Sequence, residues 1–411
     1  MKILQINACH YRRGGADVVY LNTSQLLGER GHEVINLSKH SKFNSEVQNN
    51  RYFVKDIDYF NLSPLKKLLH IPRFIYSVEA KDKLESLIKL EKPDVAHIHL
   101  YKGTLTPSIL STLKHNNIPT VITLHDFGFI CPHNTFLNGK NQICTKCLTT
   151  NNSFNCIINK CNRNNLLLST VSALEYVIHK NVFPFSKYFD RIIVVSKFGL
   201  EMHSRREVLK DKLVHLYNFY PKLESNLPNY VRGDYFLSFG RLSQEKGILT
   251  LIKAWGKMKS HKLLKIAGEG PIQKDIKKYI EKNKLSNIEI LGFKKGAALN
   301  ELIKNASFII VPSECYENNP LSIVEAYSNG KPVIATKTGG ISEIVIENET
   351  GFLFEIRNVD QLSEIIIKAS KLSEEQYATM SKNARNFADN NFSENNHYLA
   401  LMNIYNSILS R

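Results

Sequence analysis

Two glutamates in the stretch "SECYENNPLSIVEA", residues 313–326, have the type and spacing to serve one binding site. Pro320 suits the first turn of a helix, so we expect a helix over about residues 320–329. Glu317 then lies in the loop before this helix, and Glu325 lies on the helix among apolar residues that would partly enclose it. The free N–H groups at the helix start, which could cradle an anion or a hydroxyl, belong to Asn318, Asn319 and Leu321. The pattern predicts two carboxylates with separate tasks, and two solvated glutamates on one helix are the ordinary alternative.

Basic side chains and glycines that could bind an anion occur in two other loops. The stretch "GRLSQEKG" carries Arg241 and Lys246, and a guanidinium fork with an ammonium group can hold phosphate oxygens. Gly14 and Gly15 precede a helical pattern, where a backbone without side chains could approach a phosphate at a helix N-terminus. Solvated surface cations and a plain tight turn are the corresponding alternatives.

These residues share a position directly after apolar strand patterns. Ligands of open parallel sheets bind beyond the carboxyl ends of the strands. The residues that follow strand patterns in this way are Gly14, Gly15, His125, Arg241, Lys246, Glu269, Glu317, Gly339 and Gly340. Two sheets that face each other across a cleft would bring all of them around one ligand. For His125, a packed and satisfied core histidine is the alternative.

A cysteine-rich window between residues 127 and 165 predicts a structural metal site. Cys144, Cys147, Cys156 and Cys161 have spacings close to those of structural zinc sites, and Cys131 could replace one ligand. The window contains few large apolar residues, so a metal would explain how it folds. Reduced thiols without a metal are the alternative, because the first residues show no secretory signal that would favour disulfides.

Alternating strand and helix patterns predict two parallel α/β domains that would position these residues. We expect a first domain over residues 1–217 with the cysteine-rich window 127–165 as an inserted loop. The alternation lapses and then restarts, which predicts a second domain over residues 218–390. The last helix, within 391–411, is long enough to cross back onto the first domain.

Composition and charge narrow the class of protein. Of its 411 residues, 43% are hydrophobic and 22% are charged, which is typical of a globular chain. The net charge of +16 favours anionic partners, namely phosphorylated small molecules or an acidic membrane surface. Basic residues form no dense run, so the sequence favours neither DNA nor RNA as a partner. The predicted location is the cytoplasm.

The motifs, taken in order, resemble those of glycosyltransferase family 4. They are "GGADVVYLNTSQLLGERGHEV", "VITLHD", "VVSKFG", "FGRLSQEKGILTLIKAW", "IAGEGP" and "PSECYENNPLSIVEAYSNGKPVIATKTGGISEIVIENETGFLF". The resemblance covers nearly the whole chain and implies the GT-B fold, in which two Rossmann-like domains face a cleft. It also implies a hexosyltransferase that uses nucleotide-sugar donors with retention at the anomeric carbon and needs no catalytic cofactor.

The resemblance assigns roles to the residues at the strand ends. Arg241 and Lys246 would hold the donor diphosphate, and Gly14 and Gly15 would approach it from the other domain. His125 would lie beside the transferred sugar. The remaining donor-binding residues would be Glu269, Glu317, Asn318, Asn319, Pro320, Leu321 and Glu325. Among these, Glu317 would bind the sugar hydroxyls and Glu325 the ribose.

The leading hypothesis is a transferase that extends a lipid-linked glycan for a cell-surface polysaccharide, at the inner face of the cell membrane. A nucleotide-sugar epimerase of related architecture is one alternative. Another is a nucleic-acid-binding protein built on the cysteine window and the basic surface, and it leaves the residues at the strand ends unused.

Overall fold

The computed structural model describes residues 1–45, 50–56, 73, 75–221, 228–258 and 262–410 of the chain. It holds two six-stranded sheets, formed one after the other along the chain. All strand pairs within them are parallel, and their apolar residues are largely buried because helices cover both faces. This confirms the predicted fold class.

The strands, numbered in chain order, are β1 Lys2–Asn7, β2 Glu33–Leu37, β3 Val95–Leu100, β4 Thr120–Leu124, β5 Arg191–Val194, β6 Leu213–His215, β7 Tyr235–Phe239, β8 Leu263–Ala267, β9 Ile288–Gly292, β10 Ala306–Val311, β11 Val333–Thr336 and β12 Gly351–Phe354. The helices are α1 Gly15–Glu29, α2 Val78–Glu91, α3 Ser108–His115, α4 Lys146–Thr149, α5 Phe154–Ile158, α6 Leu166–Val182, α7 Phe185–Tyr188, α8 Lys197–Ser204, α9 Ile248–Met258, α10 Gln273–Lys282, α11 Gly296–Lys304, α12 Leu321–Ser328, α13 Ile341–Ile344, α14 Val359–Ser370, α15 Glu374–Asn391 and α16 Glu394–Leu409. Short 3-10 helices span Asn50–Tyr52, Glu207–Lys212 and Gln244–Lys246.

The strand order of each sheet places a crevice beside its candidate residues. The first sheet has the order β2-β1-β3-β4-β5-β6, and the second has the order β12-β11-β10-β7-β8-β9. The order reverses at β1 in the first sheet and at β7 in the second, and ligands bind at such switch points. The glycines at the start of α1 follow β1, and His125 follows β4. The loops that carry Lys246 and Glu317 follow β7 and β10, which are neighbours in the second sheet.

The chain ends by crossing from the second sheet to the first. Helix α15 packs on the second sheet through residues such as Tyr377 and Ala384. Helix α16 instead buries Leu401 and Tyr405 against the first sheet, where they meet Ile3. The prediction of a C-terminal helix that returns to the first half of the chain is therefore confirmed.

Two parts of the fold differ from the sequence prediction. The sequence does not predict strand β6, which comes directly before the stretch where the alternation of strands and helices lapses; its three residues are too few to show a periodic pattern. The window 127–165 is not purely a loop, since it contains the short helices α4 and α5. Within the described ranges, no helix is both long and apolar enough to cross a lipid bilayer.

Candidate active site

The loop between β10 and α12 forms the centre of the candidate site. Helix α12 begins at Leu321 with Pro320 as its N-cap residue, close to the predicted start. The backbone N–H groups of Asn318, Asn319 and Leu321 donate to no protein acceptor within the described part of the chain. They remain available to an anion, and the helix dipole favours negative charge at this end.

Lys246 and Glu317 form an ion pair beside this helix start. Nζ of Lys246 lies 2.6 Å from Oε1 of Glu317, and the hydroxyl of Ser313 donates to the same oxygen at 2.7 Å. Burial alone would raise the pKa of Glu317, but the Lys246 charge and these hydrogen bonds hold it below its usual value. The pKa of Lys246 is correspondingly raised by Glu317 against the effect of burial. Both groups are charged at neutral pH. The contacts that Lys246, Ser313 and Cys315 make with the carboxylate all use Oε1, so Oε2 can receive a ligand hydroxyl.

Two asparagines of this loop connect it to the first half of the chain. Nδ2 of Asn318 donates to the backbone carbonyl of His125 at 3.1 Å. The Asn319 side chain accepts from the backbone N–H of Asn218 at 2.9 Å, in the connection between the two sheets. These bonds bring His125 and the Glu317 loop together across the cleft.

His125 is held by a second histidine. Its Nε2 lies 3.0 Å from Nδ1 of His99, and the two rings are nearly parallel. His99 stacks on His97, whose Nδ1 lies 2.7 Å from the hydroxyl of Tyr405 on α16. Burial lowers the pKa of His125 to about 4, so its imidazole is neutral at pH 7. A neutral ring can exchange hydrogen bonds with a ligand without adding charge.

Close backbone packing fixes the loops that surround the centre. The backbone N–H of Gly340 donates to the Glu317 carbonyl at 2.7 Å, and a Cβ on Gly340 would lie 1.7 Å from the carbonyl oxygen of Asn318. On the other side of the cleft, a Cβ on Gly15 would lie 3.8 Å from Cδ1 of Leu321. The starts of α1 and α12 are therefore neighbours.

Arg241 and Glu269 lie at the rim of the same edge of the second sheet. The loops that carry them are joined, because the N–H of Leu242 donates to the Glu269 carbonyl at 2.9 Å. Both side chains are exposed, and neither contacts the ion pair of Lys246. The structure thus places them near the centre without bringing them into it.

Glu325 occupies a different environment from Glu317. It lies one helical turn inside α12, and it is partly buried. Burial raises its pKa to about 7, and the positive charge of Arg12 opposes that rise. The two glutamates therefore do not share one proton or one hydrogen-bond network, as the helix start at Pro320 predicts.

Three of the five cysteines in the window pack together against helix α6. Cys147, Cys156 and Cys161 are buried together against Ala173, and all seven cysteines of the chain are free thiols. Among the described residues, no group of three or more His, Cys, Asp or Glu side chains is arranged to hold a metal ion. A zinc site that includes Cys144 stays a prediction, which metal analysis of the purified protein would test.

Several residues of the site, Ser313 among them, were not predicted as such from the sequence. His99 contacts His125, and Asn218 contacts Asn319. The positive charge of Arg12 lowers the pKa of Glu325. A signal existed for His99, because "HIHL" ends the strand next to that of His125. Asn218 and Arg12 lie in irregular connections, where a single sequence offers no periodic signal.

Family models match both halves of the chain. Residues 13–221 match the model described as Glycosyltransferase Family 4. Residues 221–387 match the model described as Glycosyl transferases group 1. The first match alone covers more than half of the chain.

Two of the relatives resemble only part of the chain. An uncharacterised glycosyltransferase of Methanocaldococcus jannaschii is 34% identical over 201 residues, which are 48% of this chain and 54% of that protein. The UDP-Gal:alpha-D-GlcNAc-diphosphoundecaprenol alpha-1,3-galactosyltransferase of Escherichia coli is 27% identical over 164 residues, 38% of this chain and 41% of that protein. The chain thus matches about half or less of the length of these curated relatives.

A solved structure extends the likeness to the whole fold. HepE of Anabaena, in complex with UDP-glucose, superposes with a TM-score of 0.68 and covers 99% of this chain and 100% of that chain. At 17% sequence identity, this likeness concerns the fold alone.

Proposed function

Because the chain belongs to glycosyltransferase family 4 and has the GT-B fold, we propose that it transfers a hexose from a nucleoside diphosphate sugar to a lipid-linked glycan with retention at the anomeric carbon. The product is an intermediate of a cell-surface polysaccharide. The reaction takes place in the cytoplasm, at the inner face of the cell membrane. No cofactor takes part in the chemical step.

The observation that carries this proposal is the ion pair of Lys246 and Glu317 beside the open start of α12. A cation and free N–H groups suit the diphosphate of a donor. The adjacent carboxylate suits the hydroxyls of a sugar, since Lys246, Ser313 and Cys315 contact Oε1 of Glu317 and leave Oε2 to a ligand. The groups that suit the diphosphate and the carboxylate that suits the sugar thus lie within a few ångströms of each other.

The chemical step requires stabilisation of a leaving group. When the bond between the anomeric carbon and the diphosphate oxygen breaks, the electron pair stays on that oxygen. Lys246, Arg241 and the N–H groups at the start of α12 would stabilise the resulting negative charge, while the glycines before α1 approach the diphosphate from the other side. Glu269 at the rim and Glu325 on α12 would bind the nucleoside, Glu325 through the ribose hydroxyls.

Positive charge develops on the sugar ring at the same time. A neutral His125, held with its carbonyl against Asn318, can contact the sugar without opposing this charge. The acceptor hydroxyl then attacks the anomeric carbon from the face that the diphosphate leaves, and its proton passes to a phosphate oxygen of the leaving group. This sequence retains the anomeric configuration and uses no protein nucleophile.

The lipid-linked acceptor is supported by the Escherichia coli relative, whose acceptor carries a diphosphoundecaprenol group. A UDP sugar is supported by the same relative and by HepE of Anabaena bound to UDP-glucose. The net charge of +16 agrees with an anionic donor and an anionic lipid diphosphate.

The test is a transfer assay with a panel of nucleoside diphosphate sugars and a short-chain lipid diphosphate sugar. We expect a new glycosidic product with the donor's anomeric configuration, formed only when the acceptor is present. Lys246→Ala and Glu317→Gln should slow its formation by about 100-fold or more, whereas Lys253→Ala, which removes an exposed lysine of α9, should leave it unchanged. Full activity in folded Lys246→Ala and Glu317→Gln variants would overturn the site assignment. An altered sugar formed from the donor alone would instead identify an epimerase.

A further inference from the structure

Helix α6 carries large apolar side chains on the side that faces solvent, opposite the side that packs on the protein. Its buried side carries Ser169, Ala173, Tyr176 and His179. Its opposite side carries Leu167, Val171, Leu174 and Ile178, which recur every three to four residues and therefore form one stripe. We call this stripe the outer face of α6.

The outer face is exposed to an unusual degree. Leu167 is 73% exposed, Val171 46% and Leu174 56%. The only charged residue between Leu166 and Ile178 is Glu175, at the edge of the stripe, and it is partly buried. Large apolar side chains without charged neighbours are rare on the surface of a soluble protein and mark a binding surface.

The positive charge of the segment that carries the outer face favours an anionic partner. Residues 127–189 contain six Lys and Arg residues but a single acidic residue, Glu175. Lys146, Lys160 and Lys187 are exposed. An exposed apolar helix within a basic segment of the chain is complementary to an anionic lipid surface, in which the helix lies in the plane of the headgroups. A second copy of the same chain would bring like charges together, so the charge disfavours self-association.

The outer face is also linked to the candidate site. On the inner side of α6, the hydroxyl of Tyr176 donates to the carbonyl of Phe129 at 3.3 Å, and the ring of His179 stacks on Tyr101. Phe129 follows His125 by four residues. A membrane bound at α6 would therefore lie next to the segment that extends from His125, on the half of the protein where the acceptor would enter.

We propose that the outer face of α6 docks on the anionic surface of a lipid bilayer. The apolar side chains enter the boundary between headgroups and acyl chains, and exposed lysines of the same segment of the chain contact anionic headgroups. The inference rests on the proposed function for its biological purpose, which is delivery of a lipid-linked acceptor to the cleft. The binding itself needs neither donor nor catalysis.

The experiment is sedimentation with vesicles of phosphatidylcholine that contain about 30 mol% phosphatidylglycerol, at low and high salt. We expect the full chain to bind at low salt, and to bind at least tenfold more weakly to pure phosphatidylcholine or at high salt. Leu167→Ser with Leu174→Ser should weaken binding to the anionic vesicles at least tenfold. The matched control is Val231→Ser with Phe293→Ser, which changes two exposed apolar residues of the second half, 70% and 58% exposed, and should leave binding within twofold of the wild type.

The unfolding temperature, the transfer activity and the oligomeric state of the α6 variant distinguish membrane docking from misfolding and from self-association. The α6 variant should keep the wild-type unfolding temperature and its activity with a water-soluble acceptor, because both substituted side chains are exposed. Unchanged vesicle binding of this variant would overturn the proposal. So would a wild-type dimer that the variant converts to a monomer, since the outer face would then bind a second copy. Vesicle binding without any transfer activity would leave the docking surface standing and reject the proposed function.

Discussion

Nζ of Lys246 lies 2.6 Å from Oε1 of Glu317, so the ammonium proposed to bind phosphate is already paired with the carboxylate proposed to bind sugar. When a donor binds in the cleft, the Lys246 ammonium must therefore contact both the Glu317 carboxylate and the phosphate oxygens of the donor. The pair also keeps Glu317 ionised, because Lys246 and the Ser313 hydroxyl outweigh the effect of burial on its pKa. Glu317 therefore serves as a hydrogen-bond acceptor over the whole physiological pH range.

The Glu317→Gln substitution tests this pairing. It keeps the shape of the side chain but removes the charge, so Lys246 loses its partner and the sugar loses a charged acceptor. We expect kcat/KM to fall by about 100- to 1,000-fold, the usual cost of removing one such group from a polar active site. Stability should change by only about 1 kcal/mol, since the Lys246 side chain is 36% exposed and water can replace its partner.

Steady-state kinetics and thermal unfolding measure the two effects separately. Glu349→Gln is the matched control, because Glu349 is exposed and lies away from the cleft in the turn before β12. A loss of activity no larger than that of the control would remove Glu317 from the site.

The raised pKa of Glu325 leads us to predict that nucleotide binding depends on pH. Its folded pKa of about 7 lies above the unfolded value of about 4.3. The folded state then holds more protons between these values, so this group's contribution to stability falls as the pH rises from about 4 to 7. If Glu325 accepts hydrogen bonds from ribose, nucleoside diphosphate binding should strengthen as the carboxyl ionises, by up to about tenfold between pH 6 and pH 8.

Calorimetry at several pH values measures this effect. The phosphates of the ligand also titrate, so Glu325→Gln serves as the reference that retains their contribution and lacks the carboxyl. Parallel pH profiles for the wild type and Glu325→Gln would exclude Glu325 from the binding site.

Much of the fold follows from local pattern. The apolar runs of β1 and β4 and the helix start at Pro320 are visible in the sequence because buried parallel strands and helix termini have distinct residue preferences. The rule that ligands bind at strand ends then selects His125, Lys246 and Glu317 without knowledge of the packing. Strand β6 could not be predicted in this way, because three half-buried residues are too few to show a periodic hydrophobic pattern.

Contacts between distant segments could not be predicted in the same way. The ion pair of Lys246 with Glu317 joins loops 71 residues apart, and the bond from Asn318 to His125 spans 193 residues. Such pairs depend on the relative position of strands in the sheet and of the two sheets, which one sequence does not encode as a local pattern. The sequence predicts candidate residues for the site, whereas the structure supplies the contacts between them.

The contact between His99 and His125 leads us to predict that His99 positions the imidazole of His125. Nε2 of His99 is buried and has no partner among the described residues. A buried N–H without an acceptor is rarer than an unused acceptor, so we infer that the proton of His99 is on Nδ1 and is donated to Nε2 of His125. His125 then carries its own proton on Nδ1. We expect His99→Leu to lower kcat by about 10- to 100-fold with little effect on KM for the donor, because His125 loses its fixed tautomer.

His99→Asn is the conservative variant, since the amide nitrogen of Asn lies near the position of Nδ1 and can donate in its place. It should recover a substantial part of kcat. Equal losses in the Leu and Asn variants, at equal thermal stability, would reject the tautomer argument and leave His99 with a packing role.

Gly340 and Gly28 form a matched pair that separates close backbone packing from chain flexibility. A Cβ on Gly340 would lie 1.7 Å from the carbonyl oxygen of Asn318 and 3.0 Å from Cβ of Ser196. Gly340→Ala must therefore displace the loop that carries Glu317, and we expect a loss of stability of about 1–3 kcal/mol together with at least a tenfold loss of activity. A Cβ on Gly28, near the end of α1, meets no atom within 4 Å.

Gly28→Ala should instead stabilise the protein by about 0.5–1 kcal/mol, because alanine loses less backbone entropy than glycine in a helix. Its activity should equal that of the wild type. Chemical denaturation gives the two free energies of unfolding, and kinetics at a temperature where both variants are folded gives the activities. A Gly340→Ala protein with wild-type stability and activity would mean that the loop after β11 does not support the Glu317 loop as the backbone contacts indicate.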